Sequence, residues 1–170
     1  MKSIVIYFSR AGQNYFQGSL KNIEIGNTEG IAKYIQEELG CDAFKLEPIQ
    51  PYSSDYNECI EQAKEDLERE ARPELKEYLD SLEEYDSIYL GFPNYWGTMP
   101  MCVCTFLDHY DLSNKKIYPF VTHEGSGFGR SLEDLKRMCP NSEIRNGLCI
   151  LGSRVYDKKE TVIQWVKEGK

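Results

Sequence analysis

The chain has 170 residues, 41% of them hydrophobic, which is enough to fill the core of a single domain spanning residues 1–170. Its 28 acidic and 20 basic side chains give a net charge of −8, which argues against nucleic acid, because phosphate backbones are held by clusters of Lys and Arg. No apolar run reaches the roughly 20 residues of a membrane span and no secretory leader is apparent, so the sequence predicts a cytoplasmic protein whose acidity suits solubility and basic protein partners.

Six cysteines, Cys41, Cys59, Cys102, Cys104, Cys139 and Cys149, are scattered through apolar patterns rather than spaced as a disulfide framework. Reduced, buried thiols are expected. Cys102 and Cys104 form the closest pair, but no second Cys or His pair stands at zinc-binding spacing, and His109 and His123 are the two histidines. No metal site is expected.

In chain order, an apolar run from Ser3 to Phe8 reads as a strand and ends on Ser9-Arg10-Ala11-Gly12. After an interruption of 13 residues, Gln13 to Ile25, Gly26-Asn27-Thr28 opens a helix with Ile31, Ala32, Ile35 and Leu39 on one face and Gly40 at its C-cap. The two halves read together as a split phosphate-binding loop. A helix N-terminus leaves N–H groups without intrahelical partners and carries the positive end of the macrodipole, which stabilises a phosphate dianion. The plainer alternative for Asn27 and Thr28 is N-capping. A Walker loop is excluded because no Lys follows the glycine before a Ser or Thr, and the dinucleotide pattern Gly-x-Gly-x-x-Gly does not follow the first strand. A phosphoacceptor receiver domain would need acidic residues where Ser9 and Arg10 stand.

Ala43 to Leu46 reads as a second strand. Tyr56, Cys59, Ile60, Ala63 and Leu67 then mark an amphipathic helix inside a charge-rich stretch, Asp55 to Glu84, with Lys64 and Glu68 spaced as an i, i+4 pair. Its polar residues predict a solvated helical face, interrupted at Pro73, with docking of a basic partner as the alternative. The third strand, Ser87 to Phe92, runs into Pro93-Asn94-Tyr95-Trp96-Gly97-Thr98-Met99-Pro100. Adjacent Tyr95 and Trp96 would present aromatic faces to a planar ring, and Gly97 would let a peptide group approach it. A loop anchored by a core tryptophan is the alternative. The fourth strand, Ile117 to Val121, leads to Thr122-His123-Glu124-Gly125-Ser126-Gly127-Phe128-Gly129-Arg130, whose glycines suit close backbone approach to a ligand edge. His123 can contact that ligand or cap the strand end; Glu124 can tune local charge or be solvated. Ser131 and Asp157 head capping-box patterns, and Leu148 to Leu151 is the fifth strand.

Five strands alternating with helices predict an α/β protein: a parallel, doubly wound sheet, every strand buried on both faces, with helices on either side. Ligands of such sheets bind beyond the carboxyl ends of the strands, which selects residues 9–28, 93–100 and 122–130.

Ser9-Arg10 at the start of the phosphate loop, the spacing Pro93-x-x-Trp96-Gly97-Thr98-x-Pro100, and Gly125-Ser126-Gly127-x-Gly129 together resemble the flavodoxins, in particular a bacterial flavodoxin-like group, over essentially the whole chain. The resemblance implies a three-layer sandwich with strand order 2-1-3-4-5 and a bound FMN. It places Ser9, Arg10, Ala11, Asn27 and Thr28 around the phosphate. Pro93, Asn94, Tyr95, Trp96 and Gly97 would pack on or hydrogen-bond the isoalloxazine, with Thr122, His123, Gly125, Ser126 and Gly127 at its opposite edge. Two features depart from the family pattern: Ala11 stands where a hydroxyl residue is usual, and the insertion Gln13 to Ile25, holding Tyr15 and Phe16, lengthens the loop. The implied function is a low-potential one-electron carrier between redox proteins, with no catalytic residue of its own. The alternatives are an FMN-dependent NAD(P)H or quinone oxidoreductase, with His123 or a Tyr as proton donor, and a flavin-free binding or regulatory module.

Overall fold

Val5 and Ile6 are fully buried and Ile4 nearly so, although successive strand residues point to opposite faces. A strand with that pattern must be covered on both sides and lie inside the sheet. In the computed structural model, which describes residues 2–169, it does. β1 (Ser3–Tyr7) pairs in parallel with β4 (Asp42–Lys45) on one side and β5 (Ser87–Pro93) on the other. β5 pairs with β6 (Lys116–His123), and β6 carries two short parallel strands on its outer edge, β7 (Glu143–Ile144) and β8 (Leu148–Leu151). This is the expected order 2-1-3-4-5 with the fifth strand broken in two, so among the described residues the sheet has six strands.

Pro119 accounts for the break. The Ile117 carbonyl accepts the Arg145 N–H at 2.8 Å, so residues 117 and 119 direct their backbone groups to this edge. Pro119 has no N–H to donate, and opposite it the chain leaves the ladder after Ile144 and rejoins at Leu148, paired with Phe120. The expectation that every strand is buried on both faces fails at the sheet edges, for β8, where Leu151 is exposed, and for β4. Asp42, Ala43 and Lys45 are exposed because β4 is an edge strand, and Lys45 instead pairs with Glu29 at 3.0 Å.

On one face of the sheet, α1 (Asn27–Leu39) and α5 (Lys159–Gly169) bury Ile31, Ala32, Ile35, Val162, Trp165 and Val166 against Val5, Tyr89 and Phe120. On the other, α3 (Met101–His109) and α4 (Ser131–Met138) bury Cys102, Val103, Phe106 and Leu135 against Ile4, Ile6, Leu90 and Phe92, with α2 (Tyr56–Glu68) beside α3. All six cysteines are free, and Cys59, Cys102, Cys104 and Cys139 are buried. Among the described residues no helix is long and apolar enough to cross a membrane.

Three local expectations are corrected. The helical face in the charge-rich stretch ends at Glu68, and residues 69–86 continue without helix, burying Leu75, Leu82 and Tyr85. Lys64 lies 5.7 Å over the Trp96 ring rather than pairing with Glu68. Ser131 is inside α4 rather than capping it, its hydroxyl donating backward to the Phe128 carbonyl at 2.6 Å, and Asp157 closes the 3-10 helix Gly152–Asp157.

The Gln13 to Ile25 interruption contributes most of an antiparallel hairpin, β2 (Gly12–Phe16) and β3 (Ser19–Ile23), separate from the main sheet. Its turn residues Gln17 and Gly18 both have positive φ, the signature of the type I′ turn that suits strand twist. The hairpin is fastened to the start of α2: Gln13 N–H donates to Ser54 O at 2.9 Å, Tyr56 N–H donates to Gln13 Oε1 at 3.1 Å, and the Tyr15 and Tyr56 rings meet edge to face at 4.8 Å.

Candidate functional site

The split loop closes where Gly26 meets the end of β1. A Cβ at Gly26 would lie 2.1 Å from Ser9 Oγ and 2.8 Å from both Arg10 N and Arg10 O, so only glycine lets the two halves touch. Ser9 Oγ then accepts the Glu29 N–H at 3.0 Å, and Gly30 N–H bonds Gly26 O at 3.2 Å. That leaves the Asn27 and Thr28 N–H groups as the remaining donors of the first helical turn, at the positive end of α1. The buried Thr28 and Thr122 hydroxyls bond each other at 2.8 Å and tie the start of α1 to the end of β6. Asn27 packs against Gly152 after β8, where a Cβ would stand 2.4 Å from Asn27 Nδ2.

The second loop is a tight turn locked by Asn94. Asn94 N–H donates to Thr122 O, its Nδ2 donates to Gly127 O and its Oδ1 accepts the Gly97 N–H, each at 2.9 Å. Tyr95 and Thr98 exchange backbone hydrogen bonds across Trp96 (φ 54°) and Gly97 (φ 82°), and Gly97 O accepts the Arg130 N–H at 2.7 Å. Tyr95 and Trp96 do not present two adjacent open faces, because the turn sends them apart. Tyr95 points inward, edge to face with Phe8 and Tyr52 at 6.0 and 5.8 Å, its hydroxyl accepting from Cys59 Sγ at 3.7 Å; burial holds this phenol well above its ordinary pKa. Trp96, 47% exposed, folds over α2 and donates its indole N–H to Ile60 O at 2.9 Å.

In the third loop, His123 Nδ1 accepts the N–H groups of Gly125 and Gly127 at 2.9 and 3.1 Å. Two donors on one ring nitrogen require the neutral imidazole with its proton on Nε2. Desolvation lowers the His123 pKa in the same sense. A depressed histidine pKa contributes stability above the unfolded value of about 6.5, which is lost as pH falls toward the folded-state value. His123→Phe should therefore be less stable than wild type at pH 8, with the gap in urea midpoint closing below about pH 6; a gap independent of pH would contradict the assignment. Beside it, partial burial raises the Glu124 carboxyl, which accepts the Ser153 N–H.

These loops enclose a cavity of about 440 Å³, within the range of small-molecule sites. Its walls include Ser9, Arg10, Asn27, Thr28, Pro93, Asn94, Tyr95, Trp96, Gly97, Thr122, His123 and Ser126 from the sequence-based set. Ala11, Gly125 and Gly127 are not wall residues. Ala11 is exposed where the chain turns away into β2, and the two glycines support the third loop from behind through His123 and Asn94. Tyr15 takes its place in the wall, as do Asn14, Tyr56, Cys59, Ile60, Ala63, Glu124 and Gly152. The α2 residues carried a signal, an apolar helical stripe, but the same stripe marks a helix packed on core. Gly152 stands just beyond a strand's carboxyl end, where the binding-site rule for parallel sheets would have found it.

The donor set fits a phosphorylated planar ligand: a helix N-terminus closed by a glycine contact, an aromatic cavity beside it, and a buried polar atom, Arg10 Nη2, that has no hydrogen-bond partner among the described residues. A doubly wound parallel sheet with its cavity at the carboxyl ends of the strands defines the class of open-sheet α/β proteins. A family model described as flavodoxin matches residues 2–169, and the chain belongs to that family. Two Bacteroides proteins assigned as flavoproteins have similar structures. The one from Bacteroides eggerthii is 25% identical with a TM-score of 0.78, covering 98% of this chain and 96% of that one. The one from Bacteroides uniformis is 27% identical with a TM-score of 0.77, covering 98% and 97%. A Lactobacillus acidophilus flavoprotein solved in complex with FMN shares the fold at 17% identity, with a TM-score of 0.65 over 92% of this chain and 97% of that one.

Proposed function

We propose that the protein binds FMN in this cavity and acts as a one-electron carrier between redox proteins. The observation that supports the reading most strongly is the junction of two complementary parts, the Gly26-closed N-terminus of α1 that suits a phosphate and the adjoining cavity that suits a planar ring. Bound FMN would supply the redox chemistry. The N–H groups of Asn27 and Thr28 would hold its phosphate, and Tyr15, Tyr95 and Trp96 would keep water from the ring. The net charge of −8 disfavours added electrons, which lowers the potentials, and suits redox partners with basic docking surfaces.

The Trp96–Gly97 turn is where the chain can adjust to the redox state. Its central peptide bears a glycine that tolerates either sign of φ, so the peptide can give up the Gly97 N–H bond to Asn94 Oδ1, reorient and offer a hydrogen bond to the ring. Gly97→Val removes that freedom and forces a β-branched residue to φ 82°, at a stability cost of about 1–2 kcal/mol. The interval between the two one-electron midpoint potentials should narrow in this variant. An unchanged potentiometric titration would remove the role.

One observation favours a second reading, an FMN-dependent oxidoreductase: His123 lines the cavity with its proton on Nε2 and so could donate a hydrogen bond that orients a substrate oxygen over the ring. Multiple turnover of NADH or NADPH with a quinone, by the protein alone, would favour the enzyme over the carrier.

A further inference from the structure

Arg10 follows Ser9 in the chain, yet its guanidinium leaves the phosphate cradle and crosses toward α2. Nε donates to Ser53 O at 2.8 Å and Nη1 to Gln13 O at 2.5 Å, so the side chain is fixed between the hairpin and the start of α2. Nη2 is buried and has no hydrogen-bond partner among the described residues. Arg10 also belongs to none of the ion pairs found among them. Two carbonyl oxygens orient the fork but do not neutralise it. The charge is felt at the aromatic part of the cavity, where it offsets part of the burial effect on the Cys59 thiol, the Tyr56 phenol and the Tyr95 phenol. An unpaired cation in a poorly hydrated wall is costly unless a ligand brings negative charge to it.

We propose that Arg10 faces the ring of the bound flavin rather than its phosphate and stabilises the reduced, deprotonated ring over the oxidised one. The inference rests on the FMN reading above. Dispersed surface carboxylates act across solvent that screens them beyond about 8 Å. Arg10 acts at short range inside the cavity, where the dielectric is lower, so it limits the fall in potential that the net charge alone would impose. The electron comes from an external donor and enters the ring without an accompanying proton, because the negative charge it leaves is compensated by the guanidinium.

The test compares wild type, Arg10→Gln and Arg10→Lys in anaerobic titrations with oxidised and dithionite-reduced FMN and riboflavin. Arg10→Gln should weaken binding of the reduced flavin about tenfold more than binding of the oxidised flavin, equivalent to about 30 mV for a two-electron couple. The same selective loss should appear with riboflavin, and Arg10→Lys should keep part of the preference. Equal losses in both redox states, confined to FMN, would assign Arg10 to the phosphate and overturn the proposal, as would unchanged affinities. Wild type that takes up no flavin would overturn the FMN reading itself, a failure seen before any variant is made. If Arg10→Gln does not fold, Arg10→Lys decides: a loss of reduced-flavin affinity larger than the loss for oxidised flavin supports the proposal, and equal losses or none overturn it.

Discussion

Gly26→Val is expected to abolish high-affinity FMN uptake, lowering affinity by at least about 100-fold, roughly the worth of two charge-assisted hydrogen bonds. The new Cβ would stand 2.1 Å from Ser9 Oγ, which can swing aside only by giving up the Glu29 N–H that it caps. It would also stand 2.8 Å from the Arg10 backbone N and O, which cannot swing aside. Both sides of the contact are anchored, Arg10 through Ser53 and Gln13 and α1 through the Thr28–Thr122 bond. The loop halves must therefore separate, carrying the Asn27 and Thr28 N–H groups out of position. Riboflavin, which lacks the phosphate, should lose far less affinity than FMN in calorimetric titrations of the same variant. A Gly26→Val protein that binds FMN like wild type would refute the split-loop account.

Gly91→Val should destabilise the fold by about 3 kcal/mol, at the upper end of the usual cost of overpacking. A Cβ at Gly91 would fall 2.1 Å from two carbons of the Phe120 ring. Phe120 is directly opposite in the β5–β6 register, fully buried, and packed edge to face on Trp165 at 6.3 Å, so it has nowhere to retreat. The clash lies close to the ends of the two strands, from which Pro93 and Thr122 enter the cavity wall, so flavin affinity should fall with stability. Removing the ring relieves the clash: Gly91→Val/Phe120→Ala should be more stable than the sum of the two single changes predicts. Urea midpoints measure this, and strict additivity would contradict the contact.

What the sequence disclosed and what it withheld differ in physical kind. Ile4-Val5-Ile6 and the stripe Ile31, Ala32, Ile35 report burial directly, and burial on both faces of one strand already implies a parallel sheet covered by helices. Edge position is not written in composition, so β4 looked like its neighbours. The broken fifth strand depended on Pro119 lying opposite it, a pairing visible only once register is known. The Gln13 to Ile25 segment alternates weakly and lacks the Asn-Gly or Asp-Gly turn that marks most two-residue hairpins, having Gln17-Gly18 instead.

The site followed the same division. Which loops meet was legible, because strand ends in a doubly wound sheet converge. Which way a side chain leaves a loop was not. Tyr95 turns inward because Trp96 and Gly97 both take positive φ, and Arg10 leaves the cradle because Ser53 O and Gln13 O capture it. Tyr56, Cys59, Ile60 and Ala63 satisfy the pattern of a core-facing helix while lining a cavity, since helical periodicity records an apolar face and not what fills the space against it.

Titrating the flavin-free protein with FMN and with riboflavin, following flavin fluorescence, tests most directly whether the three loops form one FMN site. One FMN should bind per chain, with its fluorescence quenched by the aromatic wall and with an affinity at least about tenfold tighter than that of riboflavin, because the phosphate engages the start of α1. No uptake of FMN, or equal affinity for FMN and riboflavin, would contradict it.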